Sequence, residues 1–406
     1  MYADHFSIDN IPFGIGSSEF HSRETVVTRL EDTVFFLDEL AEAGVFKILK
    51  DETVKTFSEP TVNNFAALQK SEQLATRKAI QALFANGLES LRSLPPQSYS
   101  SIAETRLYLP LAIGDFTDFS CSRDHVLNAS EAVFKKRELP PGFEYFPVGY
   151  TARTSSIVIS GTKIKRPKGQ YRDGEKVVFG PTRRLDYELE VACVIGKGNK
   201  LGDSIRVEDA DEHIFGLVLL NDWSARDIQG LEMNPLGPLN GKSFSTSISP
   251  WIITLEALAP FKAQAPKKNP DIEVASYLQD SDSRSSYSID LSASIESKVS
   301  TDTICTTNFD TLYWTLRDLV AHQTVNGCNL NTGDLLATGT VSGTTAESHG
   351  CLMEMAASGG VQVSSGKGES LKKMWLEDGD IVRLVGKAGP GVGFGDCKGE
   401  IVAAQS

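Results

Sequence analysis

The sequence predicts a mainly β protein with some α-helix, built as a small amino-terminal unit followed by a larger β-rich domain. Three observations predict this class. Short alternating apolar and polar runs fill the first 55 residues, a three-to-four helical spacing follows, and many short Val/Ile/Leu-rich runs separated by turn residues begin near residue 110. A chain of 406 residues can bury a large apolar core without disulfide bonds.

The elements follow in order. Runs at residues 24–30 and 33–37 predict strands of a small β unit. A helical pattern then starts near Pro60 and Asn63 and stops ahead of Pro95 and Pro96. Its apolar positions are Phe65, Leu68, Leu74, Ile80, Leu83, Leu88 and Leu91. We expect an amino-terminal domain with its helical connector at residues 1–110 and the β-rich domain at residues 111–406, with strands that include 155–159, 187–195, 214–220 and 251–255.

Composition and charge exclude several classes of partner. The chain has 40 Lys and Arg residues against 53 Asp and Glu, a net charge of −13, and no basic stripe. We therefore expect binding neither to nucleic acid nor to anionic membranes. The six cysteines include no CxxC pair, which is typical of a reducing compartment. With no signal-peptide pattern and no stretch near the ~20 apolar residues of a membrane span, the expected location is cytoplasmic.

Two stretches hold clustered carboxylates. Residues 115–125 (DFTDFSCSRDH) bring several acids and His125 into a mostly loop-forming composition, where a lone histidine is more often structural than catalytic. Glu188 and Glu190 would share one face of a strand at residues 187–195. Adjacent carboxylates repel each other unless a cation neutralises them, but an isolated pair of this kind more often faces solvent on an edge strand.

A third stretch follows the apolar run at residues 214–220. Asp222, Arg226 and Gln229 have the spacing of one helix face. On local grounds this pattern is more often a capping aspartate with an arginine salt bridge than a functional site. The alternatives stay open when the stretch is considered alone.

Later motifs are equally ambiguous when taken singly. Lys242 and Thr246 lie in GKSFST, which an ordinary turn would also explain. ATGTVSG at residues 337–343 precedes Glu354, and a lone glutamate is expected at the surface. The glycine run at residues 389–395 lacks GxGxxG spacing and is therefore no dinucleotide fingerprint.

Taken in order, the motifs TDFxxSRxH, LDxELE, NDWSARDIQ, GKSFxT and ATGTxSG resemble the fumarylacetoacetase family over nearly the whole chain, from SIDNIPFG at residues 7–14 to GFGDC at residues 393–397. The resemblance implies a small SH3-like amino-terminal barrel and a large carboxy-terminal mixed β-roll of the fumarylacetoacetase type, assembled as a homodimer. It also implies hydrolysis of a carbon–carbon bond in a β-diketo acid. The first expected substrate is 4-fumarylacetoacetate, in tyrosine and phenylalanine catabolism.

Carried over from the resemblance, the family's metal carboxylates fall on Asp118, Glu188, Glu190 and Asp222. Four hard oxygen donors favour Mg²⁺ or Ca²⁺ over zinc. Lys242 and Thr246 match positions beside the same site. An ammonium group has no lone pair to offer a metal, so we interpret Lys242 as a charge near the oxyanion and Thr246 as a peripheral contact.

The family's catalytic pair falls on His125 and Glu354. A carboxylate that accepts the Nδ1 proton orients the imidazole, so Nε2 can take a proton from water. Metal polarisation of the β-diketone and attack by water then give an oxyanion, for which Arg226, Gln229 and Lys242 are the expected donors. One well-placed donor is worth ~3–4 kcal/mol.

The expected substrate contacts depart from the family. Ser120 and Met233 stand where the family has tyrosines, and Lys135 stands near a family arginine after a one-residue insertion. Gln229, Tyr150 and Thr340 complete the expected contacts. Ser120 is too short to reach as a tyrosine does, and Met233 has no donor. We therefore expect slower cleavage of fumarylacetoacetate than in typical members, and a better substrate with a less polar or bulkier distal end.

Three functions stay open. The first is hydrolysis of fumarylacetoacetate. The second is hydrolysis or decarboxylation of another β-keto or diketo acid, since metal stabilisation of an enolate serves both reactions. The third is a non-catalytic metal-binding or scaffold protein, because fold does not determine function. The presence of both His125 and Glu354 argues against the third, because metal binding alone needs neither.

Overall fold

The small amino-terminal unit is an antiparallel sheet. The computed structural model describes residues 2–86, 91, 93–297, 300–364 and 370–405. The strands of this unit are β1 (Gly14–Ser17), β2 (Thr25–Leu30), β3 (Thr33–Phe36), β4 (Tyr99–Ser101) and β5 (Arg106–Tyr108). They pair in the order β4-β3-β2-β1-β5. The runs predicted at residues 24–30 and 33–37 are therefore confirmed as β2 and β3.

Helices connect this sheet to the rest of the chain. They are α1 (Leu37–Glu42), α2 (Asp51–Lys55), α3 (Asn63–Ala66) and α4 (Lys70–Ala85). The first two were not predicted, although Leu37 and Leu40 are buried at a helical spacing of three. The predicted helix is divided into α3 and α4, and its Leu88 lies outside the described residues. In the described part of the chain, no helix has the length and apolar character needed to cross a membrane.

The larger unit contains most of the strands. The first of these are β6 (Phe116–Ser120), β7 (Val148–Ala152), β8 (Ile157–Ile159), β9 (Ile164–Lys165), β10 (Lys168–Asp173), β11 (Lys176–Pro181), β12 (Leu185–Asp186), β13 (Leu189–Ile195), β14 (Ile214–Asp222), β15 (Ser224–Ala225) and β16 (Thr246–Ile248). The others are β17 (Ile253–Thr254), β18 (Lys262–Ala263), β19 (Ser286–Tyr287), β20 (Asp290–Glu296), β21 (Thr301–Asn308), β22 (Leu335–Ala337), β23 (Val361–Ser364), β24 (Ser370–Lys373), β25 (Ile381–Gly389) and β26 (Val392–Val402).

Few helices accompany these strands. They are α5 (Arg123–Phe134), α6 (Arg226–Glu232), α7 (Leu255–Leu258), α8 (Leu316–Thr324) and α9 (Leu352–Ala357). Short 3₁₀ turns occur at Ala3–His5, Thr56–Ser58, Pro96–Ser98, Val207–Glu212, Ala259–Phe261, Ser276–Leu278, Phe309–Thr311 and Ala346–Ser348. The mainly β class with some helix is confirmed.

Two mixed sheets form the large β-roll. One has the order β7-β6-β22-β13-β14-β16-β8, with β17 also pairing with β14, and the other has the order β21-β20-β25-β26-β9. Their faces approach closely, since a Cβ atom added to Gly386 of β25 would lie 2.9 Å from Leu219 of β14. Leu217, Leu219, Leu291 and Leu384 belong to the core between them. This architecture confirms the predicted β-roll.

The opposite face of the central strands packs against the amino-terminal unit. Val218 and Leu220 of β14 share a second core with Phe13, Ile15 and Phe65. Every residue of β13 and β14 is buried, because each strand has an apolar layer on both faces. The acidic residues at these strand ends therefore lie at the centre of the molecule.

Candidate active site

Four carboxylates meet at the ends of central strands. Asp118 lies on β6, Glu188 directly before β13, Glu190 within β13, and Asp222 is the last residue of β14. One ligand oxygen of each lies within 4.8 Å of the others, and all four residues are buried. We call this group the carboxylate cluster. The alternative that Glu188 and Glu190 face solvent on an edge strand is wrong, because β13 lies between β22 and β14.

Part of the carboxylate cluster is electrostatically unsatisfied. Asp118 Oδ1 and both carboxylate oxygens of Glu190 are buried without a hydrogen-bond partner among the described residues. Burial, followed by repulsion from Asp222, raises the pKa of Asp118 well above its usual range. Burial, followed by repulsion from Asp118, has the same effect on the pKa of Glu190. Both groups would ionise readily only beside added positive charge.

Two cations neutralise the other part of the carboxylate cluster. Lys242 Nζ donates to Glu188 Oε2 at 2.5 Å and to Asp222 Oδ2 at 2.7 Å. Arg226 Nη2 lies 2.8 Å from Glu188 Oε1. Burial raises the pKa of Glu188, but Lys242 and then Arg226 outweigh it and hold that pKa below its ordinary value. Burial lowers the pKa of Lys242, while Asp222 and Glu188 raise it by more.

The residues present fit a hard divalent cation. All donors are oxygens, three of the buried oxygens have no partner among the described residues, and Lys242 and Arg226 together cannot balance four carboxylates. Mg²⁺ and Ca²⁺ prefer such oxygen sets, at about 2.0–2.6 Å. Lys242 binds two of the carboxylates, and Thr246 Oγ1 donates to Asp222 Oδ1 at 3.0 Å. Both residues thus contact members of the carboxylate cluster.

His125 and Glu354 come together from 229 residues apart. His125 Nδ1 lies 2.8 Å from Glu354 Oε1, and both residues are buried. Glu354 Oε1 also accepts from Ser342 Oγ at 2.7 Å, and Glu354 Oε2 accepts from Asn128 Nδ2 at 2.8 Å. Burial raises the pKa of Glu354, but His125 and these hydrogen bonds bring it below its ordinary value. An ionised Glu354 holds the proton on Nδ1, which leaves Nε2 free as a base.

The region around His125 is not the loop that its composition indicated. Residues 116–120 form β6, in which Phe116 and Phe119 are buried, and α5 begins at Arg123. Ser122 caps α5 by accepting from the backbone N–H of His125 at 3.1 Å. Burial of the two phenylalanines stabilises a strand here, although most residues of the stretch are of types that favour loops. His125 is therefore fixed in the first turn of a helix.

Arg226 bonds to Gln229, which its spacing in the sequence suggested, and to Asp186, which that spacing did not suggest. Its Nε donates to Asp186 Oδ2 at 2.8 Å, and its Nη1 donates to Gln229 Oε1 at 3.2 Å. The alternative of an Asp222 helix cap with an Arg226 salt bridge is wrong, because Asp222 ends β14 and Lys242 is its cation. Asp186 was not predicted as a site residue. Its position between two apolar core residues was the available signal, since a buried acid needs a partner.

The expected substrate contacts differ in burial and in their contact with the carboxylate cluster. Tyr150 OH donates to Asp222 Oδ2 at 3.2 Å, and burial raises the pKa of that phenol well above its ordinary value. Thr340 is buried, and its hydroxyl has no partner among the described residues. Ser120 is half-buried on β6, and Met233 is 48% exposed after α6. A cavity of about 60 Å³ is lined by residues that include Tyr150, Arg153, Asp222, Leu239, Lys242 and Thr246.

Position 135 carries the lysine that we expect to contact substrate. Lys135 is exposed, and its Nζ donates to the carbonyl of Ala132 at 3.1 Å. Arg137, two residues later, instead donates to Asn128 Oδ1 at 2.5 Å. Asn128 in turn binds Glu354. Sequence reasoning missed both Asn128 and Arg137, although the first lies one helical turn after His125.

Comparisons with known proteins cover nearly the whole chain. The family model described as fumarylacetoacetase N-terminal matches residues 9–110, and the one described as fumarylacetoacetate hydrolase C-terminal matches residues 115–402. The chain is 42% identical over 412 residues to a fumarylacetoacetase of Arabidopsis thaliana, covering 98% of this chain and 96% of the relative. It is 40% identical over 413 residues to a fumarylacetoacetase of Bos taurus, covering 99% and 97%. A solved fumarylacetoacetate hydrolase from Exiguobacterium antarcticum shares the fold, with a TM-score of 0.54, 16% identity and coverage of 97% and 99%.

Proposed function

This chain belongs to the fumarylacetoacetase family, and we propose that it hydrolyses 4-fumarylacetoacetate to fumarate and acetoacetate. One observation carries the proposal. The buried His125–Glu354 pair, which suits proton transfer, lies near a buried carboxylate cluster that suits a divalent cation. The two groups are adjacent because the backbone of Glu188 forms an isolated β-bridge with Cys351, the residue directly before the helix that carries Glu354.

We assign the cation to Asp118, Glu188, Glu190 and Asp222, as Mg²⁺ or Ca²⁺. When bound there, it would supply positive charge beside the oxygens of a β-diketone. Lys242 holds Glu188 and Asp222 in place through two of its three N–H groups. The third N–H is therefore a donor for substrate.

His125 acts as the general base. Its Nδ1 proton is held by Glu354, so the neutral imidazole presents the Nε2 lone pair to a water molecule. The water adds to the carbonyl carbon of the fumaroyl group while its proton moves to Nε2. Collapse of the resulting oxyanion breaks the carbon–carbon bond. The departing acetoacetate carbon takes up a proton, so one water is consumed for one fumarate and one acetoacetate.

The oxyanion donors are Lys242, Arg226 and Gln229. Arg226 is held by Asp186 and Glu188. Gln229 uses Oε1 to accept from Arg226, so Nε2 is the end of this amide that can donate. Fixed donors of this kind stabilise developing charge without reorganising during the reaction.

A second function, on a different β-keto or diketo acid, is favoured by two residues. Ser120 and Met233 replace tyrosines in the family pattern, and Met233 is 48% exposed directly after α6. A thioether suits an apolar group better than a carboxylate. Lys135, Tyr150, Gln229 and Thr340 stay as proposed substrate contacts. A diketo acid with a less polar distal end is the alternative substrate.

Assembly, location and domain limits are further proposals. We expect a homodimer on the strength of the family, which light scattering of the purified protein tests directly. A cytoplasmic location is supported by six cysteines that are all free. A division into residues 1–110 and 111–406 is supported by the change from β5 to β6 near residue 110.

The test is a substrate panel. Purified protein is incubated with fumarylacetoacetate, acylpyruvates and oxaloacetate in the presence of Mg²⁺ or Ca²⁺, with His125→Ala as the control. We expect fumarate and acetoacetate in equal amounts, and much less with the control. Cleavage of another panel member but not of fumarylacetoacetate would favour the second function. No reaction with any of them would contradict an enzymatic role.

A further inference from the structure

We propose that Asp186 is a positioning residue that holds Arg226 and the helix carrying Glu354 in register. The inference rests on the proposed function, because it concerns residues assigned to that reaction. Asp186 lies outside the group of four possible metal ligands and is fully buried. Its role must therefore come from the groups that it binds directly.

Asp186 accepts four hydrogen bonds from three segments of the chain. Oδ1 accepts from the backbone N–H of Tyr187 at 2.8 Å and of Leu352 at 2.7 Å. Oδ2 accepts from the backbone N–H of Met353 at 2.9 Å and from Arg226 Nε at 2.8 Å. A single carboxylate thus joins the first turn of α9 to the guanidinium of Arg226. Every bond is within normal length.

The surrounding strands bring these segments together. β12 pairs with β15, which places Asp186 opposite Ser224, two residues before Arg226. On the other side, the backbone N–H of Leu189 donates to the carbonyl of Gly350 at 3.0 Å. Backbone pairing sets the approach of the segments. Among the residues that the structure describes, only the Asp186 side chain links Arg226 to the α9 backbone directly.

The hydrogen bonds of Asp186 affect the positions of two proposed catalytic residues, Glu354 and Arg226. Glu354 is the third residue of α9, so a shift of the first turn moves its carboxylate relative to His125. Arg226 also contacts Glu188, so loss of its Asp186 partner frees one edge of the guanidinium. Small misplacements of reacting groups lower turnover strongly, while substrate affinity changes less. Asp186 should therefore affect kcat more than KM.

Asp186→Asn is the first test. Asparagine keeps the size and one acceptor oxygen, but its NH₂ group in place of Oδ2 can accept from neither Met353 nor Arg226. We expect kcat for fumarylacetoacetate to fall about 10- to 100-fold and KM to change less than about 3-fold. The matched control is Asp318→Asn. Asp318 is also buried, accepts from the backbone at the start of α8 and pairs with Lys268, but contacts none of the proposed catalytic residues. We expect its kcat to stay near that of the wild type.

A double-variant comparison separates positioning from general destabilisation. In a Glu354→Gln background the acid–base contribution is already lost, so adding Asp186→Asn should lower kcat by much less than it does in the wild type. Equal losses in the two backgrounds, or an Asp318→Asn loss as large as that of Asp186→Asn, would overturn the proposal. A wild-type enzyme inactive on fumarylacetoacetate would instead contradict the proposed function.

Asp186→Glu keeps the inference testable if the asparagine variant does not fold. Glutamate retains the charge for Arg226 but moves it by one methylene, so all four donors cannot be kept in place. We expect a folded protein, with an unfolding midpoint below that of the wild type and, where it stays folded, a kcat reduced at least about 10-fold. Wild-type kcat in Asp186→Glu would overturn the proposal. So would failure of both variants to fold, because Asp186 would then serve stability alone.

Discussion

The carboxylate cluster and the carboxylate of Glu354 are both buried, yet they differ in hydrogen bonding, because Glu354 has several donors and part of the cluster has none. Glu354 accepts from four side chains, which are His125, Ser342, Cys351 and Asn128. In the carboxylate cluster, Asp118 Oδ1 and both oxygens of Glu190 accept from no described group. The pKa of Glu354 is consequently lowered, and those of Asp118 and Glu190 are raised.

The difference distinguishes two uses of a buried acid. A carboxylate whose lone pairs are filled by protein donors is ionised without help and can orient a neighbour. A carboxylate left without donors is too costly to bury as an anion unless another positive charge is present. Glu354 is therefore suited to orienting His125, and the carboxylate cluster is suited to holding a cation.

The largest expected effect comes from removing the base. His125→Ala should lower kcat by roughly 10²- to 10⁴-fold, because Glu354 would then orient no imidazole. Steady-state kinetics on fumarylacetoacetate measures this loss. Metal binding should survive, since His125 is not among the four clustered carboxylates.

Near wild-type turnover in His125→Ala would contradict this assignment. The base would then lie elsewhere, with Asp124 or Glu347 as the next candidates. If His125→Ala lost metal affinity as well as turnover, His125 and the carboxylate cluster would instead act as one functional unit.

Removing one donor from Glu354 should cost stability. Ser342→Ala deletes a 2.7 Å hydrogen bond to the buried carboxylate. We expect the free energy of unfolding to fall by about 1.5–3 kcal/mol, the usual value for a hydrogen bond to a charged group. Urea denaturation measures it. Ser348→Ala is the matched control, because Ser348 lies in the same loop, is also buried and does not contact Glu354. Equal decreases in the free energy of unfolding of the two variants would mean that the hydrogen bond to Glu354 contributes no more than an ordinary buried serine hydrogen bond.

Much of the architecture was predictable from the sequence for local reasons. Strand periodicity placed Glu188 and Glu190 on one face, but local patterns favoured a solvent-facing pair and a capping Asp222, so only the family resemblance grouped the three. The order of motifs added Asp118, which lies far away in sequence, through the family resemblance. Strands β2 and β3 followed from alternation alone.

The remaining contacts depend on the folded chain. Asp186 meets Leu352 across 166 residues, and Asn128 meets Glu354 across 226 residues. Spacing along the sequence carries no information about such pairs. Arg137 was missed in favour of Lys135 for a similar reason, since its reach to Asn128 depends on how the chain leaves α5. The burial of Glu354 was likewise not predictable from local sequence, because its four donors come together only in the folded chain.

Substrate preference should respond by a smaller factor. Ser120→Tyr combined with Met233→Tyr restores two hydroxyl donors of the family pattern. We expect kcat/KM for fumarylacetoacetate to rise about 10-fold, corresponding to one hydrogen bond to a charged acceptor. Kinetics with fumarylacetoacetate and one acylpyruvate in parallel checks the change. Unchanged efficiency, or a wild-type enzyme already as efficient as typical members, would make both substitutions neutral.

The smallest effect concerns pH. The folded pKa of Glu354 lies below its ordinary value of 4.5, so its contribution to stability is present above about pH 4.5 and is lost as pH falls through the folded pKa. Glu354→Gln should therefore lose less stability than the wild type between about pH 5 and pH 3. Urea denaturation of chelator-treated protein at both pH values tests the difference. Parallel losses would mean that Glu354 is not preferentially ionised in the fold.

Calorimetric titration of chelator-treated protein with Mg²⁺ and with Ca²⁺ tests the central claim most directly. We expect one of these ions to bind at one site per chain, with affinity weakened at least about tenfold by Glu190→Gln and changed less than about twofold by Glu354→Gln. This result would assign the cation to the carboxylate cluster alone. Absence of binding in the wild type, undiminished affinity in Glu190→Gln, or an equal loss in both variants would contradict the account.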